Sequence, residues 1–263
     1  MPVDIQREAA KYYDTHVPPF DDVSFYRRII QSSSAHILEL GCGTGRVMAA
    51  LAESCAYIHG IDISRPMVDI CRQRLASAAI PADRAYAEVA DITNFELQHK
   101  FDLITAPHRV IQNLETDAEL DGMFQCVRSH LAPGGVCVLN VFKPKYERER
   151  FMEWCRTEGE VLDYEHESDG IRMTRHRALR KIDTEHLVLY SDLIYRTYEN
   201  EAQTDEAVLK VTMRCYYPDE FVKLIIDHGF KITGRWGGYA QEPYGEGPEL
   251  VVAFTDNDEQ CSP

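Results

Sequence analysis

Glu39, Gly41, Gly43, Gly45 and Arg46 stand close together in the run Ile37-Leu38-Glu39-Leu40-Gly41-Cys42-Gly43-Thr44-Gly45-Arg46. A short apolar run that breaks into alternate glycines reads as a strand turning sharply into a helix. Its backbone is bare enough for a ligand to touch, because a Cβ at those places would hold the ligand off. The spacing departs from the dinucleotide fingerprint G-x-G-x-x-G/A: the third glycine arrives one residue early, and Arg46 occupies its usual place. Glu39, just before the turn, suits an ammonium or sulfonium ligand better than a pyrophosphate.

The elements that must position these residues follow from periodicity. Short apolar runs at 36–40, 57–61, 85–89, 101–106 and 136–142 read as strands, the last apolar enough to be buried on both sides. Helices are predicted between them at 46–53, 65–78 (Met67, Ile70, Cys71 and Leu75 at helical spacing, Ser64 as N-cap) and 116–131. Pro133-Gly134-Gly135 reads as a turn. Strands alternating with helices predict an α/β fold with a doubly wound, parallel sheet. The rhythm breaks after Pro144. A short helix at 145–155 is followed by three long polar-apolar segments, 171–183, 186–199 and 206–215, expected to form an antiparallel meander with one wet face. Pro218-Asp219-Glu220 opens a helix that stops at Gly229, and 230–236 and 249–255 read as a final pair of strands. The expected domains are a core of 1–144 with 214–263, and a β-rich lid or insertion of 145–213.

Composition narrows the partners. The chain has 263 residues, 44% of them hydrophobic, with 28 Lys plus Arg against 43 Asp plus Glu and a net charge of −15. So acidic a surface repels phosphate backbones and anionic membranes, so neither nucleic acid nor membrane is expected as a partner. No signal peptide or membrane-spanning run is read, and the eight cysteines form no C-x-x-C pair. A reduced, cytoplasmic protein without a metal site is expected, as a monomer or homodimer.

Ile37–Arg46 resembles the first motif of the class I S-adenosylmethionine (SAM)-dependent methyltransferases, whose members often read L-E-L-G-C-G-T-G-R. Four further segments resemble that family's in order: Gly60-Ile61-Asp62-Ile63-Ser64 with Met67, Ala90-Asp91-Ile92, Phe101–Ala106, and Leu131–Gly135. The resemblance covers residues 12–142 well and the last helix and strands more weakly. It implies a Rossmann-like, mostly parallel seven-stranded sheet with the antiparallel insertion after strand five. It also implies methyl transfer from SAM, with S-adenosylhomocysteine (SAH) as product.

On that footing Asp62 takes the ribose hydroxyls through its free lone pairs. Ile63 follows it, Met67 packs on adenine, Asp91 meets the adenine amino group, and Ile92 offers its backbone. Arg46 holds the carboxylate of SAM; Glu39 and the Ala106 carbonyl face its ammonium. Gly41 and Gly43 shape the turn, and Tyr13 closes over the methionine end. Each has a bland competitor: a strand end, a turn, a packed methionine. His108 sits where the family keeps active-site residues and is the candidate base, against the commoner structural histidine. Arg109 departs from the small residue that several small-molecule members carry there.

Ligands of open α/β sheets bind beyond the carboxyl ends of the strands. Pro107–Asn113, the insertion and the loop 237–245 are expected at that edge. Arg109, Tyr216, Trp236 and Tyr239 are the candidate acceptor contacts, with Tyr244 beside them. The acceptor is expected to be a small molecule methylated on N or O. A protein acceptor and a SAM-binding module without catalysis are the alternatives. The basic run Arg172, Arg175, His176, Arg177, Arg180, Lys181 spreads over both faces of a strand, which reads as solvated salt bridging.

Overall fold

The computed structural model describes residues 21–157, 159–168 and 170–257. The chain divides into two compact units: a larger one, ending at Lys143 and resuming at Tyr216, and a smaller one, Pro144–Cys215.

In the larger unit, α1 (Asp22–Ile29) precedes β1 (His36–Leu40), α2 (Arg46–Leu51), β2 (Tyr57–Asp62), α3 (Arg65–Ser77), β3 (Ala85–Val89) and β4 (Phe101–Ala106). A 3-10 turn (Val110–Asn113) leads to α4 (Asp117–His130) and β5 (Leu131–Phe142). After the insertion come α6 (Pro218–Asp227), β10 (Phe230–Trp236) and β11 (Glu249–Asp256). The seven strands lie in the order β10-β11-β5-β4-β1-β2-β3. β3, β2, β1, β4 and β5 are parallel, and β11 runs antiparallel between β5 and β10. The carboxyl ends of β1–β5 and of β10 therefore share one edge, at which β11 begins.

Both faces of the sheet are covered, as continuous apolar strands require. One buried cluster joins Leu38, Leu40, Ile104 and Leu139 to Phe124 and Val127 of α4 and Phe221 and Ile225 of α6. The other joins Ile37, Ile58 and Val138 to Phe25, Met48, Val68 and Cys71 of α1–α3. Each such large side chain contributes about 1.5–3 kcal/mol when fully buried. A capping box starts α4: the Thr116 hydroxyl accepts from Glu119 N, and Glu119 Oε2 accepts from Thr116 N at 2.8 Å. Pro133-Gly134-Gly135 does not precede β5 but lies within it. The register with β4 jumps from Phe101↔Leu131 to Leu103↔Val136, so the turn residues form a wide bulge, with Gly134 at φ 75°.

The smaller unit holds α5 (Arg148–Thr157) and four antiparallel strands in chain order: β6 (Glu160–Ser168), β7 (Ile171–Asp183), β8 (Val188–Glu199) and β9 (Ala202–Arg214). Sequence reading anticipates three of these. β6 escapes because its polar residues alternate weakly; it is held as an edge by pairing with β7 and by ion pairs such as Arg175 Nε to Asp163 at 2.9 Å. β9 starts earlier than its pattern suggests. Asn200 and Glu201, at φ 48° and 64°, make a two-residue hairpin turn that sets Glu199 opposite Ala202. The basic run of β7 is engaged with acids: Arg172 with Glu165 and Glu201, Arg175 with Asp163, Arg180 with Asp192. Among the described residues no helix is long and apolar enough to cross a membrane.

Candidate active site

The glycine turn leaves β1 at the shared carboxyl edge, where each glycine has a different reason to be one. Gly41 (φ 65°) lies against the segment after β4: a Cβ there would stand 2.6 Å from Val110 Cγ2. Gly45 (φ 78°) lies against α3, 2.4 Å from Cys71 Sγ by the same measure. A Cβ on Gly43 (φ 54°) would meet no protein atom within 4 Å, so its backbone is bare toward the sheet edge. Cys42 N–H donates to the Ile61 carbonyl at 3.0 Å, and Gly45 N–H to Cys42 O at 2.9 Å.

Asp62, ending β2, pins this turn. Its Oδ2 accepts from Gly43 N at 2.9 Å and its Oδ1 from Ser64 N at 2.8 Å. One lone pair on each oxygen is thus already used, leaving one each for further donors rather than the full set expected from sequence. Burial raises the Asp62 pKa, outweighing the two backbone hydrogen bonds. Ile63 is 68% exposed although apolar, and Met67 and Ile92 are half-buried. Asp91 is exposed, and its Oδ1 accepts from both N and Oγ1 of Thr93, at 2.9 and 2.7 Å.

Glu39 is 2% exposed, and its Oε2 has no hydrogen-bond partner among the described residues. Desolvation raises its pKa well above the ordinary carboxylate range, with Cys71 adding and Arg46 opposing. A buried carboxylate oxygen without a donor calls for a cationic one. Arg46, the first residue of α2, spends its fork on Asp22 of α1: Nη1 to Oδ1 at 2.8 Å and Nη2 to Oδ2 at 2.5 Å. Asp22 is itself buried, so Arg46 would meet a ligand carboxylate only by sharing its donors.

Because the folded state holds the Glu39 proton more tightly than the unfolded chain, Glu39 favours folding below its ordinary pKa. That contribution is lost as pH rises through the raised value. Glu39→Gln is therefore expected to raise the melting temperature of the ligand-free protein at neutral pH and flatten its decline above about pH 4.5. The same variant should bind SAH at least tenfold more weakly. Thermal melts across pH with calorimetry check both signs; an unchanged pH profile would remove Glu39 as the source.

The segment after β4 carries His108 and Arg109 at φ 59° and 69°, two consecutive left-handed non-glycine residues of the kind that persist where surroundings over-determine them. Three side chains do so. Asn140 Oδ1 of β5 accepts from Arg109 N at 3.0 Å, and Asn140 Nδ2 donates to Glu249 Oε2 at 2.9 Å. Glu249, 1% exposed at the start of β11, takes Nε of Arg109 at 3.1 Å and also its Nη2. Gln112 Oε1 accepts from Phe142 N at 2.8 Å. Tyr239 packs beside Tyr26, ring centroids 5.9 Å apart, and burial raises its pKa.

The sequence-predicted residues thus separate. Glu39, Gly41, Gly43, Arg46, Asp62, Ile63, Met67, Asp91, Ile92, Ala106, His108 and Arg109 all stand on or just beyond the carboxyl ends of β1–β4. Ala106 is fully buried opposite Leu139. Trp236 and Tyr239 instead pack on Phe25, with ring centroids 5.2 and 5.4 Å away. Tyr216 is buried against Phe221, and the Tyr244 hydroxyl donates to Pro218 O at 2.9 Å. Tyr13 lies outside the described residues. Sequence reading misses Asp22, Tyr26, Asn140 and Glu249. The last two carried a signal, as lone polar residues in or beside the apolar runs 136–142 and 250–254.

Residues 37–135 match the family model described as Methyltransferase domain. A dTDP-3-amino-3,6-dideoxy-alpha-D-glucopyranose N,N-dimethyltransferase of Streptomyces fradiae is 29% identical over 62% of this chain, which spans 57% of that relative's length. A cypemycin N-terminal methyltransferase of Streptomyces sp is 25% identical, covering 83% of this chain and 82% of its own. The crystal structure of a S-adenosylmethionine-dependent methyltransferase from Clostridium acetobutylicum ATCC 824 superposes with a TM-score of 0.73 at 16% identity, covering 95% of this chain and 98% of its own. Together with the sheet order and the glycine turn, these findings define a class I methyltransferase domain. Residues 37–135 are thus a methyltransferase domain of this fold, for which SAM is the methyl donor. The residues present fit that donor: bare backbone at Gly43, a buried carboxylate oxygen awaiting a cation at Glu39, and an exposed apolar Ile63 beside the Asp62 carboxylate.

Proposed function

We propose that this protein methylates an amine nitrogen of a small-molecule acceptor. SAM supplies an electrophilic methyl group on a sulfonium, which leaves by in-line displacement. Gly43 and its neighbours present backbone, Asp62 accepts from the ribose hydroxyls, Ile63, Met67 and Ile92 cover the adenine, and Asp91 meets its amino group. Glu39 accepts from the ammonium, and Arg46, shared with Asp22, meets the carboxylate. For the acceptor, the His108–Arg109 turn closes the edge beside β4 and β5. An amine that arrives protonated must lose its proton before it can attack, and His108 is our assignment for the group that takes it.

The observation that carries the amine reading is that the dTDP-3-amino sugar relative and the N-terminal methyltransferase relative both act on nitrogen.

Transfer of radiolabelled methyl from SAM to free amino sugars, nucleotide-linked amino sugars and peptides with a free N-terminus tests the proposal. Each acceptor is paired with an analogue bearing hydroxyl in place of amine. Label on at least one amine and on none of the hydroxyl analogues is the expected result. Label on a hydroxyl analogue, or none anywhere from a protein that binds SAM, would sink it. The peptide relative gives the second reading, a protein or peptide amine, which label confined to the peptides would select.

A further inference from the structure

Between β3 and β4 the chain runs Asp91-Ile92-Thr93-Asn94-Phe95-Glu96-Leu97. Thr93, Phe95 and Leu97 are half-buried while Asn94 and Glu96 are exposed, the alternation of an extended chain, although 95–97 form no strand. α4 meets each of the three inward residues. A Cβ on Gly122 would fall 2.5 Å from Thr93 O, so the two backbones touch there. One turn on, Cys126 Sγ accepts from Phe95 N at 3.5 Å and donates to Phe95 O at 3.7 Å. One turn further, His130 Nε2 accepts from Leu97 N at 2.9 Å, and its ring lies on Phe95 with centroids 4.6 Å apart.

The two spacings keep step. Four helical residues rise about 6 Å, and two extended residues span about 6.6 Å. Gly122, Cys126 and His130 therefore form one stripe, along which Thr93, Phe95 and Leu97 are fastened in turn. A glycine inside a helix weakens it relative to alanine, and here the Thr93 backbone occupies the space that an alanine would take. His130 is 4% exposed and bridges the two elements. Its Nδ1 lies 2.7 Å from the Cys126 carbonyl, which can only accept, so Nδ1 carries the hydrogen and Nε2 turns its lone pair to Leu97 N–H.

We propose that Gly122, Cys126 and His130 are positioning residues for the adenine end of SAM, and through it for the preference for a 6-aminopurine. They act through the segment that carries Asp91 and Ile92, which rests on the reading that Asp91 meets the adenine amino group. Thr93 is the link. Its N and Oγ1 both donate to Asp91 Oδ1, at 2.9 and 2.7 Å, which leaves Oδ2 for a donor from outside. Asn94 N donates to Asp91 O at 3.1 Å and tightens the turn. Where Gly122 lets Thr93 stand thus decides where the Asp91 carboxylate stands.

A purine with oxygen in place of the 6-amino group turns a donor into an acceptor against that carboxylate, so discrimination between the two purines reports the placing of Asp91. Gly122→Ala is the sharpest perturbation. Alanine is the better helix former, so α4 is kept, and the part that must give way is the Thr93 backbone. His130→Ala removes the acceptor for Leu97 N–H, and His130→Gln returns one on a side chain of similar reach.

Full-length protein is titrated by calorimetry with SAH and with S-inosylhomocysteine, its 6-oxo analogue, and the exchange of the 91–97 amides with deuterium is followed beside it. The wild type should bind SAH at least tenfold more tightly than the analogue. In Gly122→Ala and His130→Ala that ratio should fall below threefold, through weaker SAH binding with the analogue little changed. His130→Gln should restore the ratio. The 91–97 amides should exchange faster in His130→Ala and not in His130→Gln; Gly122→Ala carries the test if His130→Ala does not fold. An unchanged ratio in the variants would overturn the proposal, and so would equal weakening of both ligands, which marks general support of the fold. Asp91→Ala separates the underlying reading: if it keeps the wild-type ratio, or if the wild type binds both ligands alike, Asp91 is not the adenine partner. The exchange of the 91–97 amides then decides by itself whether the α4 stripe holds the segment.

Discussion

Gly43→Val is expected to weaken SAH binding by at least a hundredfold while leaving the protein folded. The two effects separate because of where the added atoms go. No protein atom lies within 4 Å of a Cβ at this position, so the side chain meets no clash inside the fold. The remaining penalty is conformational: φ is 54°, and a left-handed residue with a Cβ costs about 1–2 kcal/mol, more when β-branched. That shifts a thermal midpoint by a few degrees without abolishing folding. The valine methyls, however, occupy the bare face of the turn, the surface on which the cofactor is read to lie. Gly45→Ala is the counter-experiment. Its Cβ strikes Cys71 Sγ at 2.4 Å, so it should lower stability more than Gly43→Val for a smaller added group. Calorimetric titration with SAH, beside thermal melts of both variants, checks the pair. Wild-type affinity in Gly43→Val would move the cofactor site elsewhere.

Glu249→Leu is the other large effect, expected to act on rate and stability while sparing cofactor affinity. Glu249 is buried, and it holds the Arg109 guanidinium and the Asn140 amide together. Breaking a fully buried pair by removing one partner costs about 3–5 kcal/mol. The Arg109 side chain is 34% exposed and water can reach it, so about 2–3 kcal/mol is the better expectation here. Without that anchor the left-handed His108–Arg109 turn relaxes, and methyl transfer should slow at least tenfold. SAH affinity should change less than threefold, because Glu249 touches neither the glycine turn nor Asp62. The double variant Arg109→Met with Glu249→Leu should regain most of the stability, since no charge is then left without a partner, but not the rate. Equal losses of rate and SAH affinity in Glu249→Leu would show that the residue supports the whole edge rather than the acceptor side.

The sequence alone determined the alternating strands and helices, the sheet class and the break after Pro144, and the resemblance of its five motif segments pointed to the methyl donor. These are local properties. A period of two or 3.6, a glycine at a required turn and an acid at a strand end are written in adjacent residues, and the early third glycine separates this turn from a dinucleotide site within ten positions. The shared edge was legible for the same reason: Glu39, Gly43, Asp62, Ile63, Met67, Asp91 and Ala106 all fall at the ends of successive parallel strands, which parallel pairing must bring together.

Only the tertiary structure decided the partners. Arg46 read as the partner of the SAM carboxylate, but Asp22 holds it from 24 residues away; Arg109 read as an acceptor contact, but Glu249 holds it from 140 residues away. Tyr216, Trp236 and Tyr239 read as a binding surface, but Tyr216 and Tyr239 are buried in the core and half-buried Trp236 packs against it. A side chain's charge and shape are local, whereas the choice among possible partners depends on which distant elements the fold brings within 3 Å. β6 shows the same limit on the fold itself. Nothing in its weakly alternating polar residues specifies a strand until β7 offers an edge to pair with.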